Sequence, residues 1–349
     1  MSTQEIVILL GFLLLIIIVL AIDMGVFHKK NQEVGFRESL IFTSIWVSLA
    51  LIFWGLIYFY GDWIHGPENM EELKVLVARY SHPITLVEND FEKSIAIYRQ
   101  NLGLEFITGY IIEYSLSIDN IFVILMIFYS FGVKKIYYHR VLFWGILGAI
   151  VMRFLFIFIS SALIQQFAWI LYLFGALLLF TGIKMFLDRN KKEKIDTNKH
   201  PVIVTLSRFF AIDREYEGPN FFIRKNGKLY LTGLFVVLMV IEFTDVIFAV
   251  DSVPAIFSIT KDPFMVYFSN IFAIIGLRSL FFLLINVIEK FRFLKIGLSA
   301  LLVFIGAKML LHHYIEISTI QSLTVVLFIL VISVVVSVLI PVKPEISEV

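Results

Sequence analysis

Long apolar runs alternate with short polar breaks along almost the whole chain, and this pattern predicts a stack of membrane-crossing helices. A helix needs roughly 20 consecutive apolar residues to cross a bilayer core. Such runs cover residues 6–22, 40–59, 104–129, 141–164, 169–186, 230–253, 264–287, 294–311 and 323–340. About nine spans follow. The first has no basic leader and no small-x-small site before His28, so it reads as a retained span and not a cleaved signal. Between the runs lie two longer polar stretches, 62–101 and 188–229. Pro67 suits the first turn of an amphipathic helix reaching Tyr80. Residues 201–212 suit a helix lying in the interface, with Phe209 and Phe210 toward lipid. Asn226-Gly227, flanked by residues 221–224 and 228–231, signals a hairpin. Apart from these elements, both stretches read as solvated connectors.

Basic residues orient the stack. With the N-terminus outside, twenty Lys and Arg fall on inner segments and five on outer ones, which is the positive-inside distribution. The C-terminus then lies inside.

Composition agrees. The chain is 59% hydrophobic and only 16% charged, with a mean hydropathy of +0.90, which excludes an ordinary soluble enzyme. Its 16% aromatic content excludes disorder. The absence of cysteine excludes disulfides, zinc–thiolate sites and iron–sulfur clusters. A net charge of +1 gives no reason to expect a nucleic-acid partner. Phosphate loops, nucleophile elbows and HExxH helices are all missing, so an enzyme is not expected.

An internal repeat runs through the spans. Residues 113–124 and 245–256 both read acidic, five residues, Asp, a small polar residue, then apolar. Arg153 and Arg278 follow in similar settings, and then Gly182-Ile-Lys-Met and Gly306-Ala-Lys-Met. Each copy holds three spans. Three is odd, so the second copy must be inverted, the arrangement of many secondary transporters. The expected fold is therefore all-α and polytopic. It has two N-terminal spans (1–61), an outer loop (62–101), a first three-helix unit (102–187) and an inner loop (188–229). A second, inverted unit (230–312) and a C-terminal span with its tail (313–349) complete it.

Ionisable side chains inside spans are costly and usually functional. Here they are Glu113 and Asp119 in the third span, Glu242, Asp245 and Asp251 in the sixth, and Arg153 and Arg278 as counter-charges. Fully ionised, they leave three negative charges uncompensated, and buried carboxylates must hold a proton, an Arg or a cation. Asn120 and Ser252, with Asn270 as a further candidate, complete an all-oxygen donor set suited to a hard divalent ion. Protons compete for the same groups, which is the chemistry of cation–proton exchange. Asp23, at the inner end of the first span, is either interfacial or part of an inner vestibule. Lys184 and Lys308 lie near span ends and read as structural. His312, His313 and Glu316 read as a solvated helix end. Glu113 and Asp119 point about 120° apart on a straight helix. Either the helix unwinds between Ser115 and Asn120, or the two carboxylates serve different steps. Glu242 and Asp245 share a face. Pro254 predicts a non-helical stretch over 252–262, closed by Asp262-Pro263 as the start of the next helix.

These same segments carry a resemblance. Glu113-Tyr-Ser-Leu-Ser-Ile-Asp-Asn and Glu242-Phe-Thr-Asp-Val-Ile-Phe-Ala-Val-Asp-Ser-Val-Pro-Ala-Ile look like the two signature segments of the TerC/Alx family. So do residues 139–149, 269–278, 221–228 and 306–311, and the surroundings of Asp23. The resemblance implies a bacterial or organellar integral membrane protein, with the bacterial plasma membrane as the expected location, related to LysE-type exporters, with manganese export and metal homeostasis as the expected role. The loop at 62–101 looks longer than the family's and inherits no function. Two rival readings stand beside export: a membrane partner or scaffold without transport, and the tellurium-resistance role behind the family's name. Tellurite is an anion, which an acid-rich site disfavours. No organic cofactor is expected. The partners are the bilayer, a divalent cation and protons.

Overall fold

The computed structural model describes residues 3–27, 35–167, 169–188, 201–213, 218, 220–225, 228–285, 293–311, 314 and 317–340. Eight of its helices are long and apolar enough to cross a membrane. They are α1 (Thr3–Phe27), α2 (Phe36–Tyr60), α4 (Phe91–Ser130), α5 (Lys135–Gln166), α6 (Ile170–Leu187), α8 (Gly233–Phe257), α9 (Pro263–Ile285) and α11 (Thr319–Leu339). A shorter apolar helix, α10 (Leu294–Leu310), follows α9. The chain is thus an all-α membrane protein, and the apolar runs correspond to its helices.

Large apolar side chains face outward on the peripheral helices. Val7, Ile52, Phe180 and Phe328 are each more than 60% exposed, as a lipid-facing surface requires. The centre is α9, which is buried along nearly its whole length against α2, α4 and α5. Rings from four helices lock this centre. Phe12 of α1 lies 4.4 Å from Phe268 of α9, and Phe53 of α2 lies 4.7 Å from Phe272. Phe106 of α4 packs edge-on against both Phe53 and Phe272. Elsewhere α6 and α10 meet backbone to backbone at Gly175, Gly182 and Gly306, where small residues allow close approach.

Helix α4 has 40 residues, about 60 Å, roughly twice a hydrocarbon core. It begins at Asp90, whose side chain accepts from the Lys93 amide at 3.0 Å. The apolar run alone therefore placed its start too late, because its first turns are polar and lie outside the bilayer. Helix α3 (Met70–Tyr80) starts one turn after Pro67, with Asn69 as its cap. It ends at Ser81 in the left-handed region, with φ 52°.

Residues 61–90 are not a solvated connector. They form a short 3-10 turn (Gly61–Ile64) and α3, and they bury Ile64, His65, Leu73, Tyr80 and His82. This end of the molecule is here termed the head side. The opposite, strand side carries α7 (Pro201–Phe209) and a small sheet. In that sheet β3 (Lys228–Thr232) lies between β1 (Ala211–Asp213), parallel, and β2 (Phe222–Lys225), antiparallel. The hairpin is present, with Asn226-Gly227 itself outside the described residues. Residues 211 and 212 are strand and not helix, because they pair with Tyr230 and Leu231. Residues 230–232, placed in a span by hydropathy, are the end of β3. Thr232 caps α8 by accepting from the Phe235 amide.

The stretch 252–262 is only partly irregular. Helix α8 continues through Pro254 to Phe257. Proline there falls in the last turn and removes a single ladder bond, which the helix tolerates. Residues 258–262 alone form the connection to α9, where Asp262 accepts from the Phe264 amide at 2.9 Å.

Candidate functional site

Arg153 stands midway along α5 and is completely buried. Four helices converge on its guanidinium. One terminal nitrogen donates to Glu113 Oε1 on α4 and to Asn270 Oδ1 on α9, the latter at 2.5 Å. The other donates to Asp245 Oδ1 on α8 at 3.3 Å. Asn270 Nδ2 donates to Glu113 Oε2 at 3.2 Å, so both Glu113 oxygens have donors. A wholly buried carboxylate is tolerable when paired and bonded in this way.

Asp245 is less well served. Its Oδ2 is buried and has no hydrogen-bond partner. Beside it lies a cavity of about 20 Å³ lined by Asp245, Arg153, Ala149, Ile241, Phe248 and Ile274, among others. That is room for about one water molecule. Two carboxylates against one guanidinium leave a surplus negative charge at this point. The arrangement can take up one more cation or proton at Asp245 Oδ2.

Glu242 joins the same seam. It precedes Asp245 by three residues on α8, so it lies on the same face, about 4.5 Å nearer the strand side. Its carboxylate lies against Gly148 of α5, where any Cβ would collide with it. Gly148 leaves the room that the Glu242 carboxylate occupies, and Glu242 and Asp245 both face α5.

The expected donor set does not gather at one point. Asp251 faces α6, where Thr181 Oγ1 donates to its Oδ1 at 3.1 Å. Ser252 and Asn120 are buried. Arg278 is buried about 12 Å along α9 from Asn270. Asp119 and Asp23 lie on α4 and α1, and their side chains fall outside the described residues, as do His312, His313 and Glu316. Helix α4 shows no break between Ser115 and Asn120, and Ser115 Oγ donates to the Ile111 carbonyl at 2.6 Å. Of the two alternatives, an unwound helix is not the one observed. Among the described residues no three His, Asp or Glu side chains are grouped closely enough to hold a metal ion. The physical reason is visible: the Arg153 guanidinium stands between Glu113 and Asp245 and bonds both.

Asn270, a marginal candidate on sequence grounds, is central to this cluster. Gly148 was missed, since a glycine in an apolar helix carries no charge signal. Its place within 139–149 was the available hint.

The model of the integral membrane protein TerC family matches residues 98–344. An uncharacterized membrane protein of Myxococcus xanthus, STKORF319, is 41% identical over 317 residues, covering 90% of this chain and 87% of the relative. A protein of Escherichia coli K12 named "Putative membrane-bound redox modulator Alx" is 41% identical over 327 residues, covering 92% of this chain and 91% of the relative. An uncharacterized membrane protein of Rickettsia bellii is 36% identical over 332 residues, covering 94% and 96%. No solved structure matches the chain.

Proposed function

The chain belongs to the TerC family of integral membrane proteins, and from that premise we propose that it is a secondary transporter exporting a divalent cation, most plausibly manganese, in exchange for protons. One observation carries the reading. A buried cluster joins two carboxylates to one guanidinium, with an unpartnered carboxylate oxygen beside a one-water cavity. A purely structural ion pair has no use for the surplus charge or for the vacant acceptor.

In this reading Arg153 is the resident counter-ion of the unloaded protein. Its link to Asp245 is the longer of its two carboxylate contacts, so Asp245 is the arm that a competing cation releases. Glu242, one turn toward the strand side, is the first carboxylate on the way in. Asp251, held by Thr181 one to two turns toward the head side, is the next on the way out. Asp119, Asn120, Ser252 and Arg278 serve later or earlier steps along the same path. All direct donors are oxygens, which suits a hard divalent ion.

The packing supports an inverted repeat with α10 as a ninth span. Helix α4 packs on α9 as α8 packs on α5, while α6 and α10 pack on each other. That is the pattern of two three-helix units, α4–α6 and α8–α10, exchanged by a two-fold axis. Basic residues argue for a strand side in the cytosol and a head side outside, in a bacterial plasma membrane.

The redox wording in the Alx relatives' name fits this role indirectly. A chain without cysteine has no thiol couple, so a redox effect would come through the redox-active metal whose level it sets. The test is binding of manganese to the purified chain, followed by magnetic resonance of the free ion. Asp245→Asn should weaken binding at least tenfold. Unchanged binding in that variant would remove the Arg153 cluster as the site.

A further inference from the structure

The head side holds five more buried titratable side chains, none of them used above. Glu5, His65, His82, Glu105 and Asp262 are each no more than 8% exposed. His65 uses both ring nitrogens: Nδ1 meets Glu5 Oε1 and Nε2 meets Asp262 Oδ2, each at 2.9 Å. Ionised carboxylates only accept, so this geometry asks for a ring that donates twice, an imidazolium. His82 Nδ1 meets Glu105 Oε1 at 2.8 Å. Glu105 also accepts from Asn101 at 2.7 Å and from Thr260 Oγ1 at 2.6 Å. Thr260 Oγ1 in turn accepts from the Asp262 amide at 3.1 Å. The bonds form one continuous chain that ties α1, residue 65, the connection before α4 and α4 itself to residues 258–262.

One end of this chain is left open. His82 Nε2 is buried and has no partner. The His82 side chain is fully buried, and the residue borders a head-side cleft of about 680 Å³ shared with Ser81, Thr260, Lys261, Lys308 and Ser318.

We propose that His65 and His82 form a second, proton-binding site beside the head-side cleft, which clamps residues 258–262 in place while it holds its protons. With both rings charged, three carboxylates face two cations. With both rings neutral, buried Asp262 and Glu105 each lose the cation they face, and the cluster must admit water or separate. The other groups facing it do not replace the lost charge. Tyr80 donates to Glu5, and Arg79 lies over the Tyr80 ring, 5.3 Å from its centroid. The Tyr98 ring packs edge-on against His82. Lys261 donates to Ser81 at 3.3 Å, and Arg99 is paired with Asp62.

The direction of the pH response follows. Burial alone would lower the His65 pKa, but Asp262, by charge and hydrogen bond, and then Glu5 outweigh it and push it up to about 9. His82 is raised by Glu105 against the same burial. Asp262, though burial opposes it, is held below its ordinary value by His65, His82 and the Phe264 amide. A raised histidine stabilises the clamp fully below the unfolded value of 6.5, and this is lost as the pH rises through about 9. Asp262 contributes above its ordinary value, and this is lost only as the pH falls through its lowered one.

Residues 258–262 join the helix carrying Glu242 and Asp245 to the helix carrying Asn270. On the transport reading, and resting on it in this respect alone, the clamp sets when the head side opens.

The experiment is amide hydrogen exchange over residues 258–266 of the full chain in lipid nanodiscs, corrected for intrinsic rates, from about pH 6 to about pH 10. Protection should fall at least tenfold across that range. His65→Gln with His82→Gln should show the low protection at every pH. Glu105→Gln, which removes the acid that raises His82, should keep protection near pH 6 but lose it at a lower pH than the native chain, a shifted midpoint that simple unfolding does not give. A flat profile in the native chain, or the native profile in both variants, would overturn the proposal. A titrating clamp in a chain that moves no cation would instead overturn the transport reading, because the exchange measurement needs no flux.

Discussion

Asp245 gives one carboxylate oxygen to Arg153 at 3.3 Å and leaves the other buried without a partner. Glu113, on the same guanidinium, has donors on both oxygens. The two acids are therefore not equivalent. Glu113 is locked by Arg153 and Asn270, while Asp245 is loosely held beside the cavity.

Removing the shared cation should be costly in a specific way. Arg153→Gln leaves the buried Glu113 and the part-buried Asp245 without their shared cation, and breaking a buried pair destabilises by about 3–5 kcal/mol. Thermal unfolding in detergent should drop accordingly. Adding Glu113→Gln should recover part of the loss, and a double-mutant cycle measures the coupling. No loss in the single variant would mean that the cluster is open to water.

Gly148→Ala should act through Glu242. A methyl there meets the Glu242 carboxylate directly. That carboxylate is the mobile end of its side chain, so the expected outcome is a displaced Glu242 and weaker cation binding, with little change in unfolding temperature. Unchanged cation binding in Gly148→Ala would remove Glu242 from the path.

The seam between α6 and α10 should tolerate no side chain. At Gly306 a Cβ would lie 2.6 Å from the Leu179 amide nitrogen and 2.8 Å from the Gly175 carbonyl oxygen. Both are backbone atoms and cannot turn aside. Gly306→Val should lower the unfolding temperature by several degrees or prevent accumulation of folded protein. Gly11→Val, at a position with open space around it, should do neither.

His65→Gln should reveal the head-side network through the pH dependence of stability. The gap in unfolding temperature between native and variant should be widest below about pH 6.5. It should shrink as the pH rises through about 9, the value to which Asp262 and Glu5 raise the ring. A gap independent of pH would mean that His65 is neutral throughout.

Much of this was legible in the chain, and the exceptions have physical causes. Charges in apolar runs are rare, so Glu113, Arg153, Glu242 and Asp245 could be found singly, and three-residue spacing put the last two on one face. Asn270 stands out less because a neutral amide in a span is cheaper than a charge. What no spacing reveals is that Arg153 bonds Glu113 and Asp245 at once, since that depends on how α4, α5 and α8 cross. The head-side network was invisible for a stronger reason. Glu5, His65, His82, Glu105 and Asp262 come from widely separated stretches, and each alone reads as an interfacial charge. Their burial exists only once 61–90 folds down onto α4 and the α8–α9 connection.

On the proposed function, the Arg153 cluster carries a cation across the membrane in exchange for protons. The most direct measurement is manganese movement in proteoliposomes under an imposed pH gradient, comparing the native chain with Asp245→Asn. The account predicts flux that needs the gradient and falls at least tenfold in the variant. Gradient-driven flux that is equal in both, or no divalent flux from folded native protein, would contradict it.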